Sequence, residues 1–318
     1  MELTLTARLA HTDPIVRRVA LMDLLDETDP DTAEPILIAA LHDPDKDVRI
    51  EAARALEAQD SPEAIKALLN ALEDTEQSVR EVAAQSLSAV KNLDVAPLLL
   101  EWTVHADAGV RIAIFRALRE LRLPAATNPA LKALSDEDAR VRREAVAVLG
   151  WLKDPSTLSQ LVILAENDPD AEVRRAAVGA LGFAADGTVR IAIELALFDL
   201  DWQVREEAAT VADKLGLQEL VPSLILALND SYWQVRLKAA RSLGRLKNSS
   251  AVAVLCQALV HPISNLRKEA ALALGEIADP AAMPGLSDAI NDPDPDVRKA
   301  ANLAFGQIRS LQDISGQG

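Results

Sequence analysis

The chain has 318 residues, a formal net charge of −16 and one cysteine, and 49% of its residues are apolar although only 3% are aromatic. These values exclude a disordered chain and a disulfide-stapled fold, and they argue against nucleic acid as a partner. "MELTLTARLA" lacks a secretory signal pattern, and no apolar run approaches the roughly 18 residues of a membrane span. We therefore expect a cytoplasmic protein with no membrane partner.

One dipeptide, Val-Arg or once Leu-Arg, recurs along the whole chain, and its first residue serves here as the anchor of a repeat. In chain order the anchors are Val16, Val48, Val79, Val110, Val141, Val173, Val204, Val235, Leu266 and Val297. Successive anchors are 31 residues apart, with two spacings of 32. This regularity indicates about ten equal units stacked side by side.

Each unit predicts two helices. In the third unit Ile65, Leu68, Leu69 and Leu72 fall at i, i+3, i+4 and i+7, and a second apolar stripe begins at Val79. Polar turns such as "HDPDKDVR" and "NDPDAEVR" separate the two helices. Several second helices carry Leu-Gly near their end, which suits a helix terminus or close helix packing. Neither helix can bury its stripe alone, so neighbouring repeats must cover it.

Two segments, "DPDAEVRRAAVGALG" and "DPDPDVRKAANLAFG", resemble the short HEAT-like repeats named after phycobilisome lyases. The resemblance covers about residues 10–310. It implies an all-α fold, an α-solenoid forming a right-handed superhelix of about ten 31-residue hairpins, with the second helices lining its concave face. We therefore predict a single solenoid domain over residues 1–310 and a flexible tail over 311–318. Ankyrin repeats fit less well because their Thr-Pro-Leu-His signature is absent, and tetratricopeptide units would be longer and richer in large aromatic residues.

The Asp and Arg residues of the repeats predict structural roles. An Asp stands three or five residues before nearly every anchor, where it can cap the second helix or meet the anchor arginine of a neighbouring repeat. Repeat nine departs from this rule, with His261 and Ile263 at the two places. We therefore leave the anchor arginines out of any functional site; they include Arg49, Arg80, Arg174, Arg205 and Arg236.

Residue types vary freely at four places of the second helix: two before, two after, six after and ten after the anchor. We call these places the variable ridge, and we expect it to face a partner. Four large aromatic residues fall on the ridge in repeats five to eight, together with a leucine and several arginines. The predicted partner site consists of Trp151, Phe183, Trp202, Trp233, Leu237, Arg143, Arg175 and Arg241. Ala147 and Gly179 would leave room between the rings. The alternative is that the rings fold back and cover gaps between repeats.

Catalytic and metal-binding patterns do not stand out. The sequence has no phosphate loop, nucleophile elbow or His-Glu-x-x-His helix, and its four histidines stand at turns of different repeats. Cys256 occupies a place of the apolar stripe and predicts a buried thiol. We therefore favour a non-catalytic scaffold without a cofactor, which binds another protein in the concave groove.

A second hypothesis follows from the resemblance. It is a bilin lyase-type subunit or chaperone, which would handle a phycobiliprotein and its linear tetrapyrrole, alone or with a second HEAT-like subunit. The aromatic and arginine residues of the ridge would then hold the pigment and its propionates. Handling of DNA is disfavoured by the acidic charge.

Overall fold

Each anchor of the repeat lies on the second helix of a helical hairpin. The computed structural model describes residues 4–185 and 187–315. Within these ranges the chain forms twenty α-helices and no strand, and the helices pair into ten hairpins. The all-α fold class and the number of hairpins are therefore confirmed. The contacts between helices group the chain into two compact units, Met1–Leu152 and Lys153–Gly318.

The first unit contains five hairpins. Its helices are α1 (Leu5–Leu9), α2 (Pro14–Glu27), α3 (Pro30–Ala40), α4 (Lys46–Ala55), α5 (Pro62–Ala71), α6 (Gln77–Ser88), α7 (Ala96–Glu101), α8 (Ala108–Leu121), α9 (Thr127–Ala133) and α10 (Ala139–Leu152). The even-numbered helices are the second helices of the hairpins. Each of them packs against the next even-numbered helix of the unit, and the first helices contact one another less.

The second unit repeats this arrangement. Its helices are α11 (Leu158–Asn167), α12 (Ala171–Leu181), α13 (Arg190–Ala196), α14 (Trp202–Lys214), α15 (Val221–Ala227), α16 (Trp233–Leu246), α17 (Val252–Ala258), α18 (Ser264–Ile277), α19 (Met283–Ala289) and α20 (Pro295–Ser315). Here α14 packs on α12 and α16, and α18 packs on α16 and α20. A layer of second helices therefore runs through each unit, and repetition of one hairpin in this way is the architecture of an α-solenoid.

The apolar stripe of the second helix forms the core. In repeat two Val48, Ala52, Ala53 and Leu56 are at most 1% exposed, and the matching residues of the other repeats are almost all buried. Because most of these side chains are Ala, Val or Leu, neighbouring helices approach closely. Gly244 shows how closely: a Cβ placed on it would lie 2.7 Å from the Cα of Ala273 in α18. The Leu-Gly pair of α16 therefore serves close packing inside the helix and is no helix terminus.

Two expectations of the sequence need comment. Cys256 was expected to be buried, but it is partly exposed. The last helix, α20, continues to Ser315, so residues 311–315 of the predicted tail are helical. The remaining tail residues, 316–318, lie outside the described residues.

Candidate functional site

Aspartates at the turns cap the second helices, as predicted. The side chain of Asp45 accepts hydrogen bonds from the backbone N–H groups of Asp47 and Val48, at 2.9 and 3.3 Å. Asp201 caps α14 and Asp294 caps α20 in the same manner. A carboxylate at this place satisfies N–H groups that have no partner within the helix. These aspartates belong to the fold and not to a site.

The aspartate five residues before the anchor forms what we call a clip with the anchor arginine of the preceding repeat. In each clip the arginine Nε and Nη2 both lie 2.6–2.9 Å from the carboxylate oxygens. The pairs are Arg17–Asp43, Arg49–Asp74, Arg111–Asp136, Arg174–Asp199, Arg205–Asp230 and Arg267–Asp292. Bidentate pairing of this kind fixes one turn against the next. The structural role predicted for Arg49, Arg174 and Arg205 is confirmed.

Two anchor arginines that are followed by another repeat depart from this pattern. A histidine, His105 or His261, occupies the place of the clip aspartate opposite Arg80 and Arg236. Each histidine accepts the backbone N–H two residues later through its Nδ1, at 3.1 Å, as the clip aspartates do through a carboxylate oxygen. Within the described ranges no carboxylate pairs with Arg80, and the buried Nε of Arg236 has no hydrogen-bond partner. The predicted ion pair is therefore wrong for these two arginines.

An aromatic cluster lies at the start of α14 and α16 in the second unit. The ring of Trp202 stacks on Tyr232 of the next repeat, with centroids 5.2 Å apart and planes inclined by 10°. The guanidinium of Arg205, held in its clip, lies 5.8 Å from the centre of the Tyr232 ring. Trp233 follows Tyr232 directly and is 39% exposed. Stacking thus orders Trp202 and Tyr232, and Trp233 next to them in the chain keeps an exposed indole surface.

The other predicted residues of the second unit have less free surface. Phe183 and Leu237 are half-buried. Arg175 donates from Nη2 to Glu172 at 2.7 Å, and Arg241 makes two bonds to the buried Glu269 at 2.8 and 2.9 Å. A Cβ on Gly179 would lie 2.9 Å from a carboxylate oxygen of Glu207. The room expected beside Gly179 is therefore occupied, and burial there raises the pKa of Glu207.

Two predicted residues belong to the first unit. Trp151 is 50% exposed, and the guanidinium of Arg122 lies 4.5 Å above the centre of its ring. Arg143 lies at 3.4 Å from the buried carboxylate of Glu144. A cation over an indole face holds that ring in place while leaving its other face open.

A groove with a volume of about 890 Å³ lies on the second helices of repeats three and four. Six variable-ridge residues line it, three from each helix: Gln77, Glu81 and Gln85 of α6, and Ala108, Ile112 and Arg116 of α8. Arg80 also lines the groove, together with the small residues Ala84 and Ala113. The groove thus forms on the ridge that the sequence predicts, but in repeats three and four instead of five to eight.

Sequence reasoning missed Tyr232 and this groove. Tyr232 stands in the turn, where no helical phase predicts the direction of a side chain. The width of the groove depends on the spacing between α6 and α8, which a single-helix pattern does not contain. One signal was present: His105 and His261 stand where other repeats have the clip aspartate. His105 also stacks on Trp102, with ring centroids 5.2 Å apart.

Two further searches covered the described residues. They contain no group of three or more His, Cys, Asp or Glu side chains placed to hold a metal ion. They also contain no helix whose length and apolar character would let it cross a membrane.

Comparison with known proteins places this geometry in context. A family profile described as HEAT repeats matches residues 2–88, 95–182, 159–232, 189–268 and 221–306. No curated protein matches the chain. Among solved structures, an engineered protein is 23% identical with a TM-score of 0.52, over 96% of this chain and 98% of its own. YibA of Escherichia coli is 19% identical with a TM-score of 0.55, over 92% and 97%.

Kap95p, in a structure with RanGDP, is 15% identical to the chain with a TM-score of 0.68. The match covers 96% of this chain and 49% of Kap95p, so the chain spans about half the length of that relative. At these identities the likeness establishes an α-solenoid fold and no activity.

Proposed function

Because this chain belongs to the HEAT repeat family, we propose that it is a non-catalytic scaffold that binds a partner protein on its second-helix faces. The observation that carries the proposal is the aromatic cluster of the second unit. Trp233 keeps 39% of its surface exposed beside the stacked pair Trp202 and Tyr232. Tryptophan and tyrosine are enriched among the residues that dominate the energy of a protein interface. Kap95p, which has a similar fold, is itself a protein that binds protein partners.

The rest of the predicted site completes the proposal. Leu237 and Phe183 would add apolar area around the indoles, and Arg175 would contribute to a polar rim. Arg241 is already engaged by Glu269, so its part would be to shape the rim and not to pair with the partner. In the first unit Trp151 and Arg143 would form a separate contact.

A cross-linking experiment tests the scaffold function. The photoreactive residue p-benzoylphenylalanine replaces Trp233 in the full chain, which is irradiated in a lysate of its source cells. We expect a discrete cross-linked partner that is lost when Trp202 is also changed to Ala. As matched control, the same residue replaces Ile191, which is 59% exposed on the first helix α13 of the same unit. An identical set of products from both positions would contradict a site at the aromatic cluster.

The hypothesis of a bilin lyase-type subunit rests on the resemblance to the phycobilisome-lyase subgroup. In the structure, Trp151 beneath Arg122 is the arrangement that suits a planar pigment with carboxylate side chains. Mixing the protein with phycocyanobilin tests this hypothesis directly. A shifted and intensified visible band would favour it, and an unchanged spectrum would favour the scaffold.

A further inference from the structure

Arg80 presents an open guanidinium. Its Nη1 donates to the backbone carbonyls of Asp74 and Thr75, at 2.7 and 3.1 Å. The anchor arginines in clips make the same two bonds to their own turns; Arg49, for example, donates to the carbonyls of Asp43 and Pro44. The guanidinium of Arg80 therefore has the orientation that in the clips directs Nε and Nη2 at a carboxylate. No carboxylate meets it in the described part of the chain.

His105 explains why Arg80 has no carboxylate partner from the next repeat. Its Nδ1 accepts the backbone N–H of Asp107, so the turn closes as it does with an aspartate. Its Nε2 lies 3.0 Å from a carboxylate oxygen of Glu73, and its ring stacks on Trp102. Both ring nitrogens thus have partners other than Arg80. His105 preserves the turn but supplies no acceptor to the arginine of the preceding repeat.

The charges around the groove between α6 and α8 single out Arg80. Gln77 donates to Glu81 at 2.7 Å, and Arg116 lies 3.0 Å from the buried Glu144. Arg140, which also lines the groove, pairs with Asp138 and lowers the pKa of that carboxyl to about 2. Asp107 caps α8. Every other charged side chain lining the groove therefore has a partner within the protein, and Arg80 is left to attract an anion.

From this geometry we infer that Arg80 binds a carboxylate, the Asp or Glu side chain of an extended partner segment lying in the groove. This inference rests on the proposed scaffold function and names the partner's chemistry in the first unit. Carboxylate is favoured because six equivalent arginines of the same chain hold one in a bidentate pair. The apolar floor of Ala84, Ile112 and Ala113 suits the backbone and small side chains of such a segment. The groove volume lies within the usual range of ligand sites, about 300–1,000 Å³.

A pair of labelled peptides tests the inference on the full chain. One is a fluorescein-labelled peptide of alternating Ala and Glu, and the other has Gln in place of Glu. Because the protein carries a net charge of −16, a preference for the Glu peptide must come from a local cation. Measured by fluorescence anisotropy at low ionic strength, the Glu peptide should bind about tenfold or more tightly than the Gln peptide. Arg80→Gln should abolish this preference.

The matched variants restore a clip inside the protein. His105→Asp supplies Arg80 with its own carboxylate, so this variant should remain folded and lose the preference for the Glu peptide. His261→Asp makes the same change opposite Arg236, whose Nε is buried and which does not line this groove, and it should bind like the parent. Equal affinity for the two peptides, an unchanged His105→Asp variant, or an equal loss in His261→Asp would each overturn the inference. The scaffold function would still stand if cross-linking at position 233 persisted.

Discussion

Arg205 and Asp230, which form a clip, should contribute to the stability of the protein as a strongly coupled pair. Both side chains are nearly buried, at 13% and 10% exposed, and two bonds of 2.6 and 2.9 Å join them. Burial raises the pKa of Asp230, but the bonds and charge of Arg205, together with the hydrogen bonds from the Tyr232 backbone and from Ser231, outweigh this effect, and the net pKa is lowered. The folded state therefore favours the charged carboxylate.

Asp230→Asn isolates this electrostatic contribution. Asparagine keeps an oxygen that can accept the backbone N–H of Tyr232, now at 2.8 Å from Asp230. It loses the charge and one of the two bonds to Arg205. Charge-assisted hydrogen bonds contribute about 1.5–3 kcal/mol each, and breaking a buried pair costs about 3–5 kcal/mol. Because Asp230→Asn keeps one of the two bonds to Arg205, we expect it to lower the free energy of unfolding by about 2–3 kcal/mol.

Native-state hydrogen exchange at the amides of α14 and α16 is the appropriate assay, because repeat proteins often unfold in parts. A double-mutant cycle with Arg205→Gln and Asp230→Asn should give a coupling free energy of about 2 kcal/mol. Arg298→Gln is the matched control, since within the described residues the Arg298 side chain makes only the two backbone carbonyl bonds, at 2.8 and 3.0 Å. It should cost less than about 1 kcal/mol. A coupling below about 0.5 kcal/mol would refute the reasoning.

Three further outcomes are expected. Gly244→Ala should destabilise the protein by about 1–3 kcal/mol in urea unfolding because its Cβ would clash with α18, whereas Gly306→Ala, with nothing within 4 Å, should be neutral or stabilising. The bond from Arg267 lowers the pKa of Asp292, so its stabilisation is complete above the unfolded pKa of about 3.9 and is lost as the pH falls through the folded value. The urea midpoint of Arg267→Gln should accordingly fall less than that of the parent between about pH 5 and pH 2; an equal fall would contradict this assignment. Partial burial raises the pKa of the Cys256 thiol, so its reaction with Ellman's reagent at neutral pH should be slower than that of the amino acid cysteine in solution. An equal rate would contradict this effect of burial.

The repeat could be predicted from the sequence because its physical cause is local. A helix that buries one stripe needs apolar residues at fixed intervals, and ten anchors at near-constant spacing identify ten such helices. The caps followed from the same reasoning, since Asp45 or Asp201 needs only the N–H groups of the adjacent turn. The clips were predicted in outline, with an aspartate meeting the arginine of a neighbouring repeat.

The candidate sites were harder to predict from the sequence because they depend on contacts between repeats. The ridge pattern placed Trp202 on an accessible helix face, but its stacking partner Tyr232 belongs to a turn of the next repeat. The space beside Gly179 seemed open from residue sizes alone, and the carboxylate of Glu207 fills it from α14. Arg80 was classed with the structural arginines because it shares their sequence position.

By itself the sequence determined the all-α repeat, the number of hairpins, the buried stripe and the turn caps, because each of these depends on spacing within one repeat. Only the tertiary structure decided which rings stack, where the groove opens and which anchor arginine lacks a carboxylate. Those properties depend on distances between side chains about 25 to 31 residues apart, such as Arg80 and His105. Such distances are set by how closely neighbouring helices pack, and residue type at one position does not specify them.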